Sequence, residues 1–346
     1  MEKPTINRKN ILADAIVIID GLPGCGKTML APIISSFRRV EILNYAFEIE
    51  FICKLYKLNK INLDAVESLI KMFVDHKLYQ TMMGRETNFR YADISSVFNS
   101  SKPLTYFKRI FSQGDLIIPD RIKKTKPILN LTTHDLFSYS LPLFKALEDR
   151  VFFIEVIRHP YYMVIQQALN MERLLNNPRD IQVNFLFNDK EIPYYAKDWE
   201  EIFLKSNNVD KAIYSICKNI EKNKKEKKLL KNYISNILTI PFESFVINPN
   251  QYLNKICEKF NIALDKKIYK ALKKQNVPRK KFADGINLEI YKRCGWQPPK
   301  KELSERDEIQ LRRDFCISQG ATDKAMELID KYSKSYEKKY LSNLTI

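Results

Sequence analysis

AIVIIDGLPGCGKTML, residues 15–30, is the stretch that decides the architecture. Its first five residues are apolar and rich in β-branched side chains, which suits a strand buried on both faces of a parallel sheet. The next eight, Gly21-Leu22-Pro23-Gly24-Cys25-Gly26-Lys27-Thr28, satisfy G-x-x-x-x-G-K-[ST] in full. The chain has only eight glycines, and three of them fall within these six positions, 21 to 26. Such clustering marks a backbone that must be bare. Residues 27–37 read as the helix that follows. In that setting consecutive backbone N–H groups form an anion-binding concavity. The helix N-terminus adds its positive dipole end, and Lys27 adds a full charge. Pro23, Gly24, Cys25, Gly26, Lys27 and Thr28 are therefore expected to hold the phosphate of a nucleotide.

Working outward, buried strands are expected at 116–119 (LIIP), 128–131, 151–157 (VFFIEVI) and 237–242. Residues 41–99 read as mostly helical, with Leu63, Val66, Leu69, Ile70, Phe73 and Val74 facing the core. Further helices are expected over 136–147, 197–231 and 250–260, and a charged helical tail from 304. The Pro/Asn-rich stretch 176–195 reads as a long surface loop. Strands alternating with helices predict an α/β protein, a doubly wound parallel sheet flanked by helices, with helical insertions. No linker interrupts the chain. One domain is expected over 1–346, its core at about 12–300 and a helical C-terminal extension over 301–346.

Composition narrows the function. Hydrophobic residues make up 45 % and charged residues 29 %, as in a globular protein rather than a disordered one. No apolar run approaches the ~18 residues of a membrane span, and no signal peptide is legible, so a cytoplasmic protein is expected. The six cysteines stand singly, with no CxxC pair and no histidine at ligand spacing, which predicts free thiols and no metal site. Net charge is +17. The longest basic run, 218–231, contains Glu and sits in a helical context. Nucleic acid, an anionic cofactor and substrate, or a merely solvated Lys-rich surface could each account for the charge. A solvated helix face suits this run best, and with no nucleic-acid module nucleic acid is not expected as the main partner. Nothing sets an oligomeric state.

The loop also fits G-x-P-x-x-G-x-T-x-L through Gly21, Pro23, Gly26, Thr28 and Leu30, and so resembles the opening of sulfotransferases. Those enzymes use 3′-phosphoadenosine 5′-phosphosulfate (PAPS) as donor. Further segments resemble the family in the expected order. They are Thr133-His134-Asp135, Arg158-His159-Pro160, the YAKDW stretch at 195–199, the IPFESFVINP junction at 240–249, and Arg279-Lys280-Lys281. The likeness runs loosely over residues 15–300. It implies that the loop holds the 5′ end of the donor, while Arg158, with Arg279 or Lys280, holds the 3′-phosphate by charge-assisted hydrogen bonds. Gln166 stands where the family has a serine for that phosphate. Lys27 is the cation for the leaving phosphate. His134 is the expected general base for a hydroxyl or amine acceptor, with Asp135 and Asp120 in reserve. The acceptor, a carbohydrate or small metabolite by family analogy, would sit in a cleft walled by residues 45–104 and 176–195. The sequence also departs from the pattern: Gly24 replaces a basic residue, Lys27 a threonine, and Thr132 a lysine. Two other readings stay open. One is an ATP- and Mg-dependent kinase using Lys27, Thr28 and Asp120; the other is a nucleotide- or nucleic-acid-binding protein without catalysis.

Overall fold

A computed structural model describes residues 4–175, 177–298 and 303–342. Its centre is β1 (Ile16–Asp20), buried at every position. Four other strands join it: β2 (Asn44–Tyr45), β3 (Leu129–Thr132), β4 (Val151–Ile157) and β7 (Ile237–Pro241). The sheet order is β2–β3–β1–β4–β7, and every pair is parallel. A separate antiparallel hairpin is made by β5 (Asn184–Phe187) and β6 (Lys190–Pro193).

Between strands the chain forms α1 (Lys27–Ser35), α2 (Phe47–Lys57), α3 (Leu63–Met83), α4 (Pro103–Ile110) and α5 (Ile118–Thr125). After β3 come α6 (Leu141–Leu147) and, beyond β4, α7 (Pro160–Arg173), α8 (Glu200–Lys205) and α9 (Asn208–Leu229). Past β7 follow α10 (Phe242–Ile247), α11 (Asn250–Phe260), α12 (Lys266–Lys274) and α13 (Glu289–Arg293). The last two are α14 (Glu305–Ser318) and α15 (Asp323–Tyr336). Among the described residues, no helix is long and apolar enough to cross a membrane.

Strand alternation sends successive side chains to opposite faces and builds two apolar layers. Val17 and Ile19, with Phe152, Ile154 and Val156, meet residues of α1, α7 and α9. Ile16 and Ile18, with Leu129, Leu131, Val151 and Phe153, meet α2, α3 and α6. The sheet is thus covered on both faces, the doubly wound arrangement expected from the sequence. Because β1 has β3 on one side and β4 on the other, the strand order reverses there. In open sheets of this kind that reversal places a ligand crevice beyond the strand C-termini.

One expected strand is absent. Residues 115–117 form a short 3₁₀ turn that runs into α5, with Pro119 in the helix's first turn and Leu116 92 % exposed. Proline cannot donate to a ladder but is preset for a helix start, and a four-residue apolar run does not by itself separate the two. The stretch read as a loop holds the β5–β6 hairpin, turned by Asn188 and Asp189, both at positive φ. Over residues 303–342 the expected extension is instead part of the core, since Cys316, Met326 and Ile329 pack with α7 and α9. Its remaining residues, 301–302 and 343–346, lie outside the described ones.

Candidate active site

The loop after β1 turns through Gly24 and Gly26 at φ 93° and 102°, and Gly26 is the N-cap of α1. A Cβ on Gly26 would lie 2.2–2.4 Å from ring atoms of Phe242, so only glycine fits both the backbone angle and the space. Lys27 is buried, and its ammonium donates to the Gly21 carbonyl. Above the C-terminal edge of the sheet lies a cavity of about 970 Å³, bordered by Pro23, Gly24, Gly26, Lys27 and Thr28.

Two sets of side chains complete it. The first is cationic. Arg158 leaves the end of β4 and donates through Nη1 to the Gly24 carbonyl at 2.9 Å. Its guanidinium lies 4.3 Å from the Phe242 ring centre and 4.9 Å from that of Tyr162. Its Nε is buried without a hydrogen-bond partner, 3.8 Å from Glu243 Oε1. Glu243 is already engaged, accepting the His159 N–H and the Tyr336 hydroxyl. Arg279 stands over the same Phe242 ring at 5.4 Å. Burial, and then the like charge of Arg158, push its pKa down to about 10. Burial likewise lowers that of Arg158. Two guanidiniums held together against their own repulsion make a site that an anion would relieve. Gln166 lines the cavity, and its neighbour Gln167 donates to the Pro23 carbonyl.

The second set is an acid–base cluster. His134, which follows β3, lies parallel to Phe47 at 5.4 Å, and its Nδ1 is 3.3 Å from Glu50 Oε1. Glu50 also accepts the His134 backbone N–H at 2.8 Å and lies 3.2 Å from Lys54. Burial pushes the Glu50 carboxyl up, but hydrogen bonds from His134 and the Lys54 charge outweigh it and hold it below the usual range. Asp135, at φ 61°, accepts from the Tyr194 hydroxyl at 2.8 Å and from Asn219. Burial, reinforced by Asp20, raises it to about 6 against the pull of Lys54.

The loop residues, Lys27, Arg158, Gln166, Arg279, His134 and Asp135 are thus brought to one cavity. Three expected residues are not. Lys280 is exposed and off the cavity wall. Cys25 is buried under the loop, and burial pushes its thiol up. Asp120 is exposed on α5, because the strand that would have carried it is a helix. Sequence reasoning missed Glu50, Lys54, Tyr162, Tyr194 and Arg312, all of which line the cavity. A signal existed for the first two, an i,i+4 charge pair that shares a helix face with the apolar Phe47 and Cys53 in FEIEFICKLYK.

No protein-family model matches the chain, and neither does any curated protein. Solved structures that it is similar to include sulfotransferases. The sulfotransferase domain of the Synechococcus olefin synthase is 13 % identical over 91 % of this chain and 98 % of that one, with a TM-score of 0.40. The sulfotransferase domain of the curacin biosynthetic pathway is 13 % identical over 87 % and 97 %, with a TM-score of 0.43. A mouse sulfotransferase solved with PAP is 12 % identical over 92 % and 89 %, with a TM-score of 0.36.

Proposed function

We propose that this chain is a sulfotransferase that takes a sulfuryl group from PAPS and passes it to a hydroxyl or amine acceptor. The observation that carries the reading is the pair of guanidiniums at the phosphate loop: Arg158, whose Nε is buried without a hydrogen bond and 3.8 Å from the already engaged Glu243, beside Arg279. Two neighbouring cations that share one already engaged carboxylate favour a further anion. The loop already offers its own anion site, so Arg158 and Arg279 fit a second phosphate, such as the 3′-phosphate of this donor. Gln166, on the cavity wall, would add a neutral hydrogen bond.

The donor supplies an activated sulfuryl group, whose bond to the 5′-phosphate oxygen breaks as a bond to the acceptor oxygen or nitrogen forms. The chain's own part is electrostatic and acid–base. Backbone N–H groups of the loop and the N-terminus of α1 oppose the charge that builds on the leaving phosphate, and Lys27 is the loop's cation for it. His134 accepts the proton that the acceptor loses. The cavity is large enough for both a nucleotide and a second small molecule. The ATP reading needs a metal-side carboxylate from Asp120, which lies off the cavity wall.

Thermal melting with 3′-phosphoadenosine 5′-phosphate (PAP) and with ATP, each with and without Mg²⁺, tests the proposal, since a ligand of the folded state raises the midpoint. Stabilisation by PAP without metal is expected. Stabilisation by Mg–ATP alone would replace this function with phosphoryl transfer.

A further inference from the structure

We propose that Glu50 is a positioning residue that holds the His134 imidazole as the Nδ1–H tautomer and so leaves Nε2 bare to receive the acceptor's proton. The inference rests on the sulfotransferase reading for its chemistry, but not for its geometry. A carboxylate can only accept hydrogen bonds, so its 3.3 Å contact with Nδ1 is bonding only when Nδ1 carries the hydrogen. The second nitrogen of a neutral ring is then the basic one. Among the described residues Nε2 has no hydrogen-bond partner, and the ring lines the cavity.

Three features fix the ring. Glu50 Oε1 grips both the backbone N–H and Nδ1 of His134, which ties its carboxylate to the loop after β3. Phe47, one turn before Glu50 on α2, lies against the imidazole within 10° of parallel and limits its rotation. Lys54, one turn after it, is 3.2 Å from the other oxygen and keeps Glu50 ionised. Lys54 is itself held over the Tyr194 ring at 3.9 Å, so its position is set from the opposite side. The side chains of Glu50 and Lys54 are 3 % and 4 % exposed. Two desolvated charges are a poor way to gain stability, since apolar residues of similar volume serve as well or better. A pair buried against a cavity and aimed at its only histidine has a use that stability does not explain.

The chain has three histidines, His76, His134 and His159, so ring-nitrogen NMR resolves each, and H134A assigns the signals of interest. In the unaltered protein at a pH where the ring is neutral, His134 should show a protonated Nδ1 and a bare Nε2. E50L, which leaves Nδ1 without an acceptor, should move the population toward Nε2–H, the form that free side chains in water favour. With PAPS and a turned-over acceptor, kcat should fall ~10²-fold or more, as for loss of a general base, while KM for the donor stays unchanged. E50D, which keeps a carboxylate, should keep the tautomer and recover part of kcat. Should E50L fail to fold because Lys54 is stranded, E50L/K54M removes both charges and takes its place. A wild-type spectrum with Nε2 protonated, or a charge-removed variant with the wild-type tautomer, would overturn the proposal. If the tautomer behaves as expected but no sulfuryl transfer is found, the sulfotransferase reading fails and the positioning role stands.

Discussion

Replacing Asp135 with asparagine should erase a specific piece of the protein's pH-dependent stability. The residue is 8 % exposed, and burial with the neighbouring charge of Asp20 raises its carboxyl from 3.8 to about 6. Between those values the folded protein binds a proton that the unfolded chain has released. Its contribution to stability is therefore complete below about pH 4 and is lost as pH rises through about 6. At ~1.4 kcal/mol per unit, a shift of about two units amounts to ~3 kcal/mol. Asparagine keeps the shape, suits the positive φ of the site, and can still pair with Tyr194 and Asn219. Urea unfolding of both proteins at steps from pH 4.5 to 7.5 isolates the effect, because other titrating groups cancel in the difference. The wild type should lose ~3 kcal/mol relative to D135N across the full window, most of it within the measured steps. Parallel stability profiles for the two proteins would refute the reasoning.

Gly26→Ala puts a methyl group into the Phe242 ring at φ 102°. It should cost about 2–5 kcal/mol in urea unfolding and abolish PAP binding, and trimming Phe242 to alanine in the same chain should restore only the packing share. Glu41→Gln breaks the buried two-point pair with Arg109, at 2.6 and 2.9 Å, and should cost ~3–5 kcal/mol. The double change E41Q/R109M should be milder than E41Q alone. Arg312→Ala removes a guanidinium 4.1 Å from the Tyr162 ring on the cavity wall and should weaken PAP by roughly tenfold in calorimetry.

The parts of the fold written in short range were legible. β1, the glycine loop and α1 follow one another within residues 15–35, and β4 and β7 are apolar runs broken only by Glu155 and Thr239. What failed was local ambiguity: LIIP is apolar enough for a strand, but Pro119 and the exposure of Leu116 belong to a helix start. The β5–β6 hairpin was readable from Asn188-Asp189 between NFLF and KEIP, a pair of turn residues that accept positive φ. The candidate site divided in the same way. Arg158 and His134 follow strand ends, where a ligand crevice is expected, whereas Glu50, paired with Lys54, reaches His134 from α2, 84 residues away along the chain. Periodicity marks α2 as a helix but not the loop that it faces. Arg312, on α14, carries no local sign of meeting Tyr162 on α7. Lys280, adjacent to Arg279, shows the converse, since one residue along the chain is enough to turn a side chain out to solvent.

The central claim is that Arg158 receives the 3′-phosphate of the donor, and a four-way calorimetric comparison tests it most directly. PAP and adenosine 5′-monophosphate, which differ by that phosphate, are titrated into the wild type and R158A without metal. A charge-assisted hydrogen bond of ~1.5–3 kcal/mol predicts that R158A weakens PAP by about 10- to 150-fold more than it weakens the monophosphate. Equal losses for the two nucleotides would place the 3′-phosphate elsewhere and contradict the account.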